Sequence, residues 1–455
     1  MQSIKLDSNI TLSNNTFKPL STQGLGQHFT PANICQLMVE YIPLENPQLI
    51  IDPAVGQGEL LWYTKQKWGN SHVVGFDIDG KLIEYCKSRF GHEGVFECSN
   101  ILSADIQDIR DTVNKHYTLC SADLVVSNPP FGITEVKTLE KGLANKLSEN
   151  DLTWPDRNGV RRVRTEIAFF FRNLELIHED GFIAILLPDS IVSGVKTAPF
   201  RRFLINHTRL HSVIALPPAS FDSTEARISL FVVQKDINND SEEDTTRLSI
   251  SNTATETMQT IIINQRDLIL RMDPKYYFAK AHLKDFVNKW KPLGDYLNRC
   301  NRGCEFYGTD SSLLSHDGDL DYVHSTDFTA FIMRESRRQR GVSRTVGKDH
   351  PHALIHEGDI LIARVGRGCV GKCAIVNKMP NGGFASGCVY IINSQKVDRY
   401  YLCLFLNTQF VKNYFDAHRR GVCSQYITKA DLMALPVFYQ KKKSFMSYLK
   451  ILRVY

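Results

Sequence analysis

Asn128-Pro129-Pro130-Phe131 closes the stretch Asp123-Leu124-Val125-Val126-Ser127, and its residue types can do chemistry on an amine. Leu124, Val125 and Val126 read as a short buried strand, ended by two prolines that cannot donate to a sheet ladder. The side-chain carbonyl of Asn128 and the backbone carbonyl of Pro129 are two acceptors for the two hydrogens of an exocyclic amine. Holding both hydrogens pulls the nitrogen toward tetrahedral geometry and frees its lone pair, which is the preparation that methyl transfer needs. Positioning and differential stabilisation then do most of the catalytic work, without a histidine or a perturbed carboxylate. The prolines stiffen the turn, and Phe131 adds a ring face on which a planar substrate can stack.

Such a turn must sit at the carboxyl end of a strand in an open α/β sheet, where these folds place ligands. The elements ahead of it supply that frame. Thr30 reads as an N-cap with Pro31 at the first position of a helix over 32–41. Leu49-Ile50-Ile51 reads as a strand, followed by Asp52-Pro53-Ala54-Val55-Gly56-Gln57-Gly58 and a helix from Glu59. Gly56 and Gly58 let the backbone approach a ligand closely, although the third glycine of the dinucleotide fingerprint is missing. About twenty positions on, Asp77 ends a second strand, placed to accept from both hydroxyls of a ribose. Asp79 reads as the cap of a helix over 81–89. A third strand over 95–98 leads to Asn100. The polar stretch 133–164 reads as a long loop beside the site, a helix follows over 166–177, and strands over 181–188, 213–216 and 228–234 complete the sheet. Strands alternating with helices at this spacing predict a doubly wound, Rossmann-like α/β fold.

The chain has 455 residues, 43% hydrophobic and 23% charged, which suits two or three soluble domains. No stretch approaches the ~20 apolar residues of a membrane span, and residues 1–16 do not form a signal peptide. Eleven cysteines without such a signal point to free thiols in a cytoplasmic protein. Cys300/Cys304 and Cys369/Cys373 share one spacing, but known zinc pairs more often have a tighter gap and no histidine pair completes a set, so no metal is expected. The net charge of +5 decides little. Its distribution says more: an acidic run over 238–244 reads as linker, while Arg334, Arg337, Arg338, Arg340 and Arg344 crowd one segment suited to phosphates. After residue 270 short strands alternate with glycine turns, as over 358–366, 371–376 and 387–392, with helices near 399–415. That part reads as a mostly β (α+β) domain.

On Gln27-His28-Phe29-Thr30-Pro31, the Asp52 block, Gly75 to Asp79, Asn128 to Gly132 and Ile183 to Ser190, the first part resembles the adenine-specific DNA methyltransferases. The likeness is nearest to the modification subunits of type I restriction systems and spans roughly residues 22–235. It implies S-adenosylmethionine as cofactor, held by Gln27, Phe29, Thr30, Pro31, Asp52, Ala54, Gly56, Gly58, Asp77 and Ile78. Asn100 stands where the family usually has Asp; an amide donates as well as accepts. The same resemblance makes Asn128, Pro129, Pro130 and Phe131 the catalytic turn, meeting an adenine flipped out of duplex DNA. The type I subunits begin with a long helical region that this chain lacks.

Arg271-Met272-Asp273-Pro274, residues 357–365 and Tyr426-Ile427-Thr428-Lys429-Ala430-Asp431-Leu432 resemble, more loosely, a target-recognition domain of the type I specificity subunits. Those subunits hold two such domains; here there is one. DNA contacts are expected at Arg334, Arg337, Arg338, Arg340, Arg344, Arg364 and Lys372. The expected organisation is a flexible arm (1–21), a methyltransferase domain (22–237), a linker (238–270), a recognition domain (271–440) and the start of a spacer helix (441–455). The function implied is site-specific adenine-N6 methylation of DNA in a restriction-modification system. The alternatives are cytosine-N4 methylation and an inactive DNA-binding specificity protein. The expected partners are double-stranded DNA and a separate restriction endonuclease subunit, with the chain itself a monomer or homodimer and no membrane involved.

Overall fold

The computed structural model describes residues 30–439 except 120, 218–220, 222–226, 236–243, 252–258, 288, 307, 316–317, 332, 334–339, 367 and 422–424. Helix α1 (Ala32–Tyr41) leads into β1 (Leu49–Asp52), α2 (Glu59–Lys67), β2 (His72–Asp77), α3 (Gly80–Phe90), β3 (Gly94–Cys98), α4 (Ile106–Tyr117) and β4 (Ala122–Ser127). After a subsidiary layer of β5 (Ile133–Glu135), α5 (Lys141–Glu149), β6 (Trp154–Pro155) and β7 (Arg161–Arg164) come α6 (Thr165–Leu176) and β8 (Ile177–Pro188). Then follow α7 (Asp189–Ser193), α8 (Ala198–His207), β9 (Thr208–Ala215), β10 (Ile228–Lys235), β11 (Thr245–Ile250) and β12 (Gln259–Asn264).

These strands build one nine-stranded sheet in the order β12-β11-β9-β10-β8-β4-β1-β2-β3. The half from β3 to β8 is parallel, as expected for a doubly wound fold. Beyond β8 the sheet is no longer parallel throughout. β10 runs antiparallel to both β8 and β9, and β12 antiparallel to β11, so the sheet is mixed. The parallel strands alternate cleanly between two cores. Leu49, Ile51, Val74, Phe76, Ile183 and Ile185 face one; Ile50, Val73, Phe182 and Ala184 face the other, with α1 to α3. This period of two lets one strand serve both faces of a covered sheet.

Three boundaries differ from the sequence reading. Residues 133–164 are not a loop: β5, β6 and β7 form a small antiparallel sheet, and α5 packs on α6. The reason lies in α6, whose sequence TEIAFFFRNLEL buries ten of its twelve residues. A helix apolar on nearly every side needs cover on more faces than the main sheet offers. The supposed linker over 238–270 carries β11 and β12, with Leu248 fully buried beside β9. Residues 271–277 also belong to the first unit, for Met272 and Tyr277 lie in its core.

The helix expected over 279–289 is α9 (Pro274–Val287), which packs against β9 and β11. The remaining residues form an α+β unit. Its elements are β13 (Lys291–Pro292), β14 (Arg299–Arg302), β15 (Leu320–Val323), β16 (Gly341–Val342), α10 (Arg344–Asp349), β17 (Leu354–Ile355), β18 (Ile360–Ala363) and β19 (Cys373–Ile375). They are followed by β20 (Gly383–Ala385), β21 (Val389–Asn393), α11 (Arg399–Leu406), α12 (Gln409–His418), α13 (Lys429–Met433) and β22 (Pro436–Val437). Two four-stranded sheets, β14-β21-β18-β19 and β16-β15-β20-β17, accompany the β13-β22 pair. In β18, Ile360 and Ile362 face the core with α11 and α12, while Leu361 and Ala363 face the opposite cluster. The arm and the tail over 441–455 lie outside the described residues.

The two units meet at Arg271. Its guanidinium, buried against Asp273 at 2.7 Å, donates to the carbonyls of Ala417, His418 and Arg419 at the end of α12. It also stacks on Tyr276 at 4.6 Å. A helix end leaves carbonyls without intrahelical partners and with negative character, and this one is closed by a cation from the other unit. No described helix is long and apolar enough to cross a membrane.

Candidate active site

At the carboxyl ends of β1 and β4 lies a cleft of about 300 Å³ lined by Thr30, Asp52, Ala54, Val55, Gly56, Gln57, Glu59, Leu60 and Asn128. Its floor is the glycine turn. Gly56 and Gly58 both have positive φ, 55° and 80°, and a Cβ on Gly58 would come within 2.8 Å of Phe90 Cε2. Asp52 turns its carboxylate back to the Ala54 N–H at 3.0 Å. Burial pushes that carboxyl up to about 8, the nearby Asp77 adds to the rise, and the Ala54 N–H opposes it. Such a group favours a cationic ligand, which would draw off its proton.

Arg89 of α3 organises the turn from beneath. It donates to the Gln57 carbonyl at 2.8 Å, pairs with Glu59 at 2.8 Å and stacks on Trp62 at 4.9 Å. Nothing in its own surroundings in the sequence marks it, because its partners are about thirty positions away.

Asp77 ends β2 as read, but its carboxylate is only 8% exposed and already holds two backbone amides. Oδ2 accepts from Gly56 and Oδ1 from Asp79, each at 2.9 Å. It therefore fastens the glycine turn to the next loop, and any ribose must share those oxygens. Asp79 caps α3 through the Lys81 N–H, as expected. Ile78, beside it, is 62% exposed. Asn100 uses its side-chain oxygen on its own turn, accepting from Leu102 N at 3.2 Å.

Thr30 is not a helix cap. Pro31 occupies the N-cap position without a side-chain bond, and the Thr30 hydroxyl accepts from the Asn128 amide Nδ2 at 2.9 Å. That contact spans 98 positions of sequence and joins the α1 entry to the Asn128 turn. With Nδ2 turned to Thr30, the amide oxygen lies at the other end of the group. Pro129 is buried, Pro130 exposed, and Phe131 half-buried against the core holding α1 to α3, so its ring is less free than a stacking platform would be.

The exit of the turn is clamped to α6. Gly132 O accepts from Thr165 N at 3.1 Å, and Glu166 follows Thr165 in the first turn of α6. The Glu166 carboxyl is fully buried, pushed up by that burial against the pull of Arg164 at 2.7 Å. Sequence reasoning singled out neither residue, although Glu-Ile-Ala-Phe-Phe-Phe, with one acid before an apolar run, was a signal available.

A second cleft of about 370 Å³ opens at the same sheet edge, between the two units. Arg227, Lys275 and Arg419 line it together with Asp189, Asp273 and Asp416. Asp189 directly follows β8, and burial, with Asp273 adding to it, pushes its carboxyl up to about 7.

Of the expected DNA contacts, Arg340, Arg344 and Lys372 are exposed. Arg364 is committed inward, donating to the Gly387 carbonyl at 3.1 Å and stacking on Tyr426 at 5.6 Å. Arg334, Arg337 and Arg338, like Gln27 and Phe29, lie outside the described residues. The two cysteine pairs come apart: Cys300 is buried, Cys373 lies 3.9 Å from Cys403, and Cys369 lies by Ser325.

The family described as N-6 DNA Methylase matches residues 12–330. The type I restriction enzyme MpnII methylase subunit of Mycoplasma pneumoniae is 25% identical over 223 residues, covering 46% of this chain and 40% of that one. The EcoEI methylase subunit of Escherichia coli is 25% identical over 215 residues, covering 44% and 41%. This chain thus matches about 40% of the length of these relatives. Among solved structures, the type IIG restriction endonuclease BpuSI aligns with 93% of this chain and 59% of its own, at 14% identity and a TM-score of 0.49.

Proposed function

The chain belongs to the N-6 DNA methylase family, and from that membership we propose that it methylates the 6-amino group of adenine in duplex DNA, as part of a restriction-modification system. The observation that carries this reading is the Asn128–Thr30 hydrogen bond at the rim of the glycine-turn cleft. The Asn128 Nδ2 is turned to Thr30 at the rim of a cleft lined by Asp52, Ala54 and Gly56. S-adenosylmethionine, when bound, supplies an electrophilic methyl group on a cationic sulfur. Asp52, Ala54 and Gly56 line the cradle that would hold it, and exposed Ile78 offers an apolar surface to its purine.

The chain's own residues do the rest. Asn128 Oδ1 and the Pro129 carbonyl take the two hydrogens of the target amine, and the two prolines hold those acceptors in place through the approach. Stacking of the flipped base against the remaining face of Phe131 is worth ~1–3 kcal/mol. Exposed Arg340, Arg344 and Lys372 supply positive charge for the DNA backbone. The unit after α9 is the target-recognition module in this reading, and further restriction-modification subunits are its partners.

The test is incubation of genomic DNA with methyl-labelled cofactor, followed by mapping of the modified bases. The expected product is N6-methyladenine within one repeated motif. Asn128→Ala should retain cofactor binding and lose transfer by at least about 100-fold. Label on cytosine N4, or turnover by Asn128→Ala near that of the unaltered chain, would sink this reading.

A further inference from the structure

One cluster of chemistry-bearing side chains stands apart from the site above. Cys304, just past β14, faces His350 at the carboxyl end of α10 and His352 one position beyond Pro351. The Cys304 Sγ lies 3.2 Å from His352 Nε2, and one ligand atom from each of the three residues lies within 4.8 Å of the others. The sequence reading finds no histidine pair to complete a set with the cysteines; the fold brings His350 and His352 to Cys304. Spacing pointed to Cys300 as the partner of Cys304, whereas the fold buries Cys300 in a strand and delivers the His-x-His from 46 positions later.

The backbone around the three residues is preset. The Cys304 N–H donates to Ala385 O at 2.9 Å, and His350 N to Val346 O at 3.0 Å. The His352 carbonyl accepts from Arg299 at 3.1 Å and Asn301 at 3.2 Å. A thiolate and two imidazoles are the donor set that a borderline-soft divalent ion prefers. With metal–ligand bonds of about 2.0–2.3 Å, tetrahedral donors sit roughly 3.3–3.8 Å apart, so closure needs only side-chain rotation of about 1 Å.

We infer that Cys304, His350 and His352 form a zinc site, with water in the fourth position beside the exposed His352. On binding, the Cys304 thiol gives its proton to solvent and the thiolate joins the metal. The ion ties the exit of β14 to the connection between α10 and β17. It thereby fastens both ends of the 305–349 excursion, which carries the arginine-rich segment. This site is independent of the methyl-transfer reading.

The test uses the full chain, stripped with a chelator and titrated with Co²⁺ as a visible probe. One Co²⁺ per chain should give ligand-field bands and a thiolate charge-transfer band, both abolished by Zn²⁺. Cys304→Ser should remove the charge-transfer band, and His352→Asn should weaken Zn²⁺ binding by at least about 10–100-fold. Cys98→Ser, at an exposed thiol in the first unit, should leave both unchanged. Zn²⁺ should raise the melting temperature of the unaltered chain and not that of His352→Asn, which keeps the test open should Cys304→Ser fail to fold. Absence of the bands from the unaltered chain, persistence of the charge-transfer band in Cys304→Ser, or undiminished Zn²⁺ affinity of His352→Asn overturns the assignment.

Discussion

In the proposed reaction Asn128 must show an amine an acceptor, yet its side chain carries two N–H groups that would repel the amine's hydrogens. Thr30 takes one of those N–H groups at 2.9 Å. Replacing the hydroxyl with a methyl keeps the shape and removes the acceptor, so the amide loses its preferred orientation. Thr30→Val is expected to lower kcat by about 10–100-fold with the cofactor KM changed far less. Thr30→Ser should recover most of the rate. A steady-state comparison of the two variants checks this; a fall in kcat for both alike would assign Thr30 to packing.

Between elements, the glycine turn between β1 and α2 is held from below by α3. Arg89 gives it a bond to the Gln57 carbonyl, an ion pair to Glu59 and a ring to lie on. Arg89→Met keeps much of the apolar stem and removes the charged contacts. Loss of ~1.5–3 kcal/mol of turn anchoring should weaken cofactor binding about 10–100-fold, with kcat at saturation largely kept. Calorimetric titration with S-adenosylmethionine, set beside saturated turnover, separates the two effects.

What was legible beforehand was local. The glycine turn, the acid ending β2 and the two prolines ending β4 each show in residue type over a few positions. What was hidden depends on separation. Asn128 meets Thr30, Asp77 meets Gly56 and Arg89 meets Glu59 only after the sheet has formed. Strands β6 and β7 hid because Trp-Pro and Arg-Arg-Val-Arg lack apolar alternation, their placement being set by α6. Strands β11 and β12 hid behind the acidic run before them, which suggested linker.

At the scale of the molecule, α12 rests on the 271–277 segment through His418. Its ring is buried, stacked on Tyr414 at 3.9 Å and edge-on to Tyr276 at 5.0 Å, with Nδ1 on the Tyr414 carbonyl. Burial pushes it down to about 4; Asp431 pulls upward, and Arg271 and Arg420 add to the fall. An unfolded imidazole takes a proton near pH 6.5, so this group's contribution is complete above about 6.5 and shrinks as pH drops toward 4. Compared with His418→Phe, the native chain should lose roughly 2–3 kcal/mol more between pH 7 and pH 4.5, read from urea unfolding midpoints. The comparison is needed because the raised carboxyls of Asp52 and Asp189 shift stability in the opposite sense over the same range.

The pairing of β11 with β9 also governs where the second unit could be exchanged. Arg247 to Ile250 lie alongside Ser212 to Ala215, and Met272 is seated in the first core. A recombinant joined within the acidic run would bring both strands from a foreign donor, and a poor match would leave β9 as a bare edge open to aggregation. A crossover placed after α9 keeps the nine-stranded sheet whole. There the donor must supply an α12 whose last carbonyls accept Arg271 and whose His418 meets Tyr276.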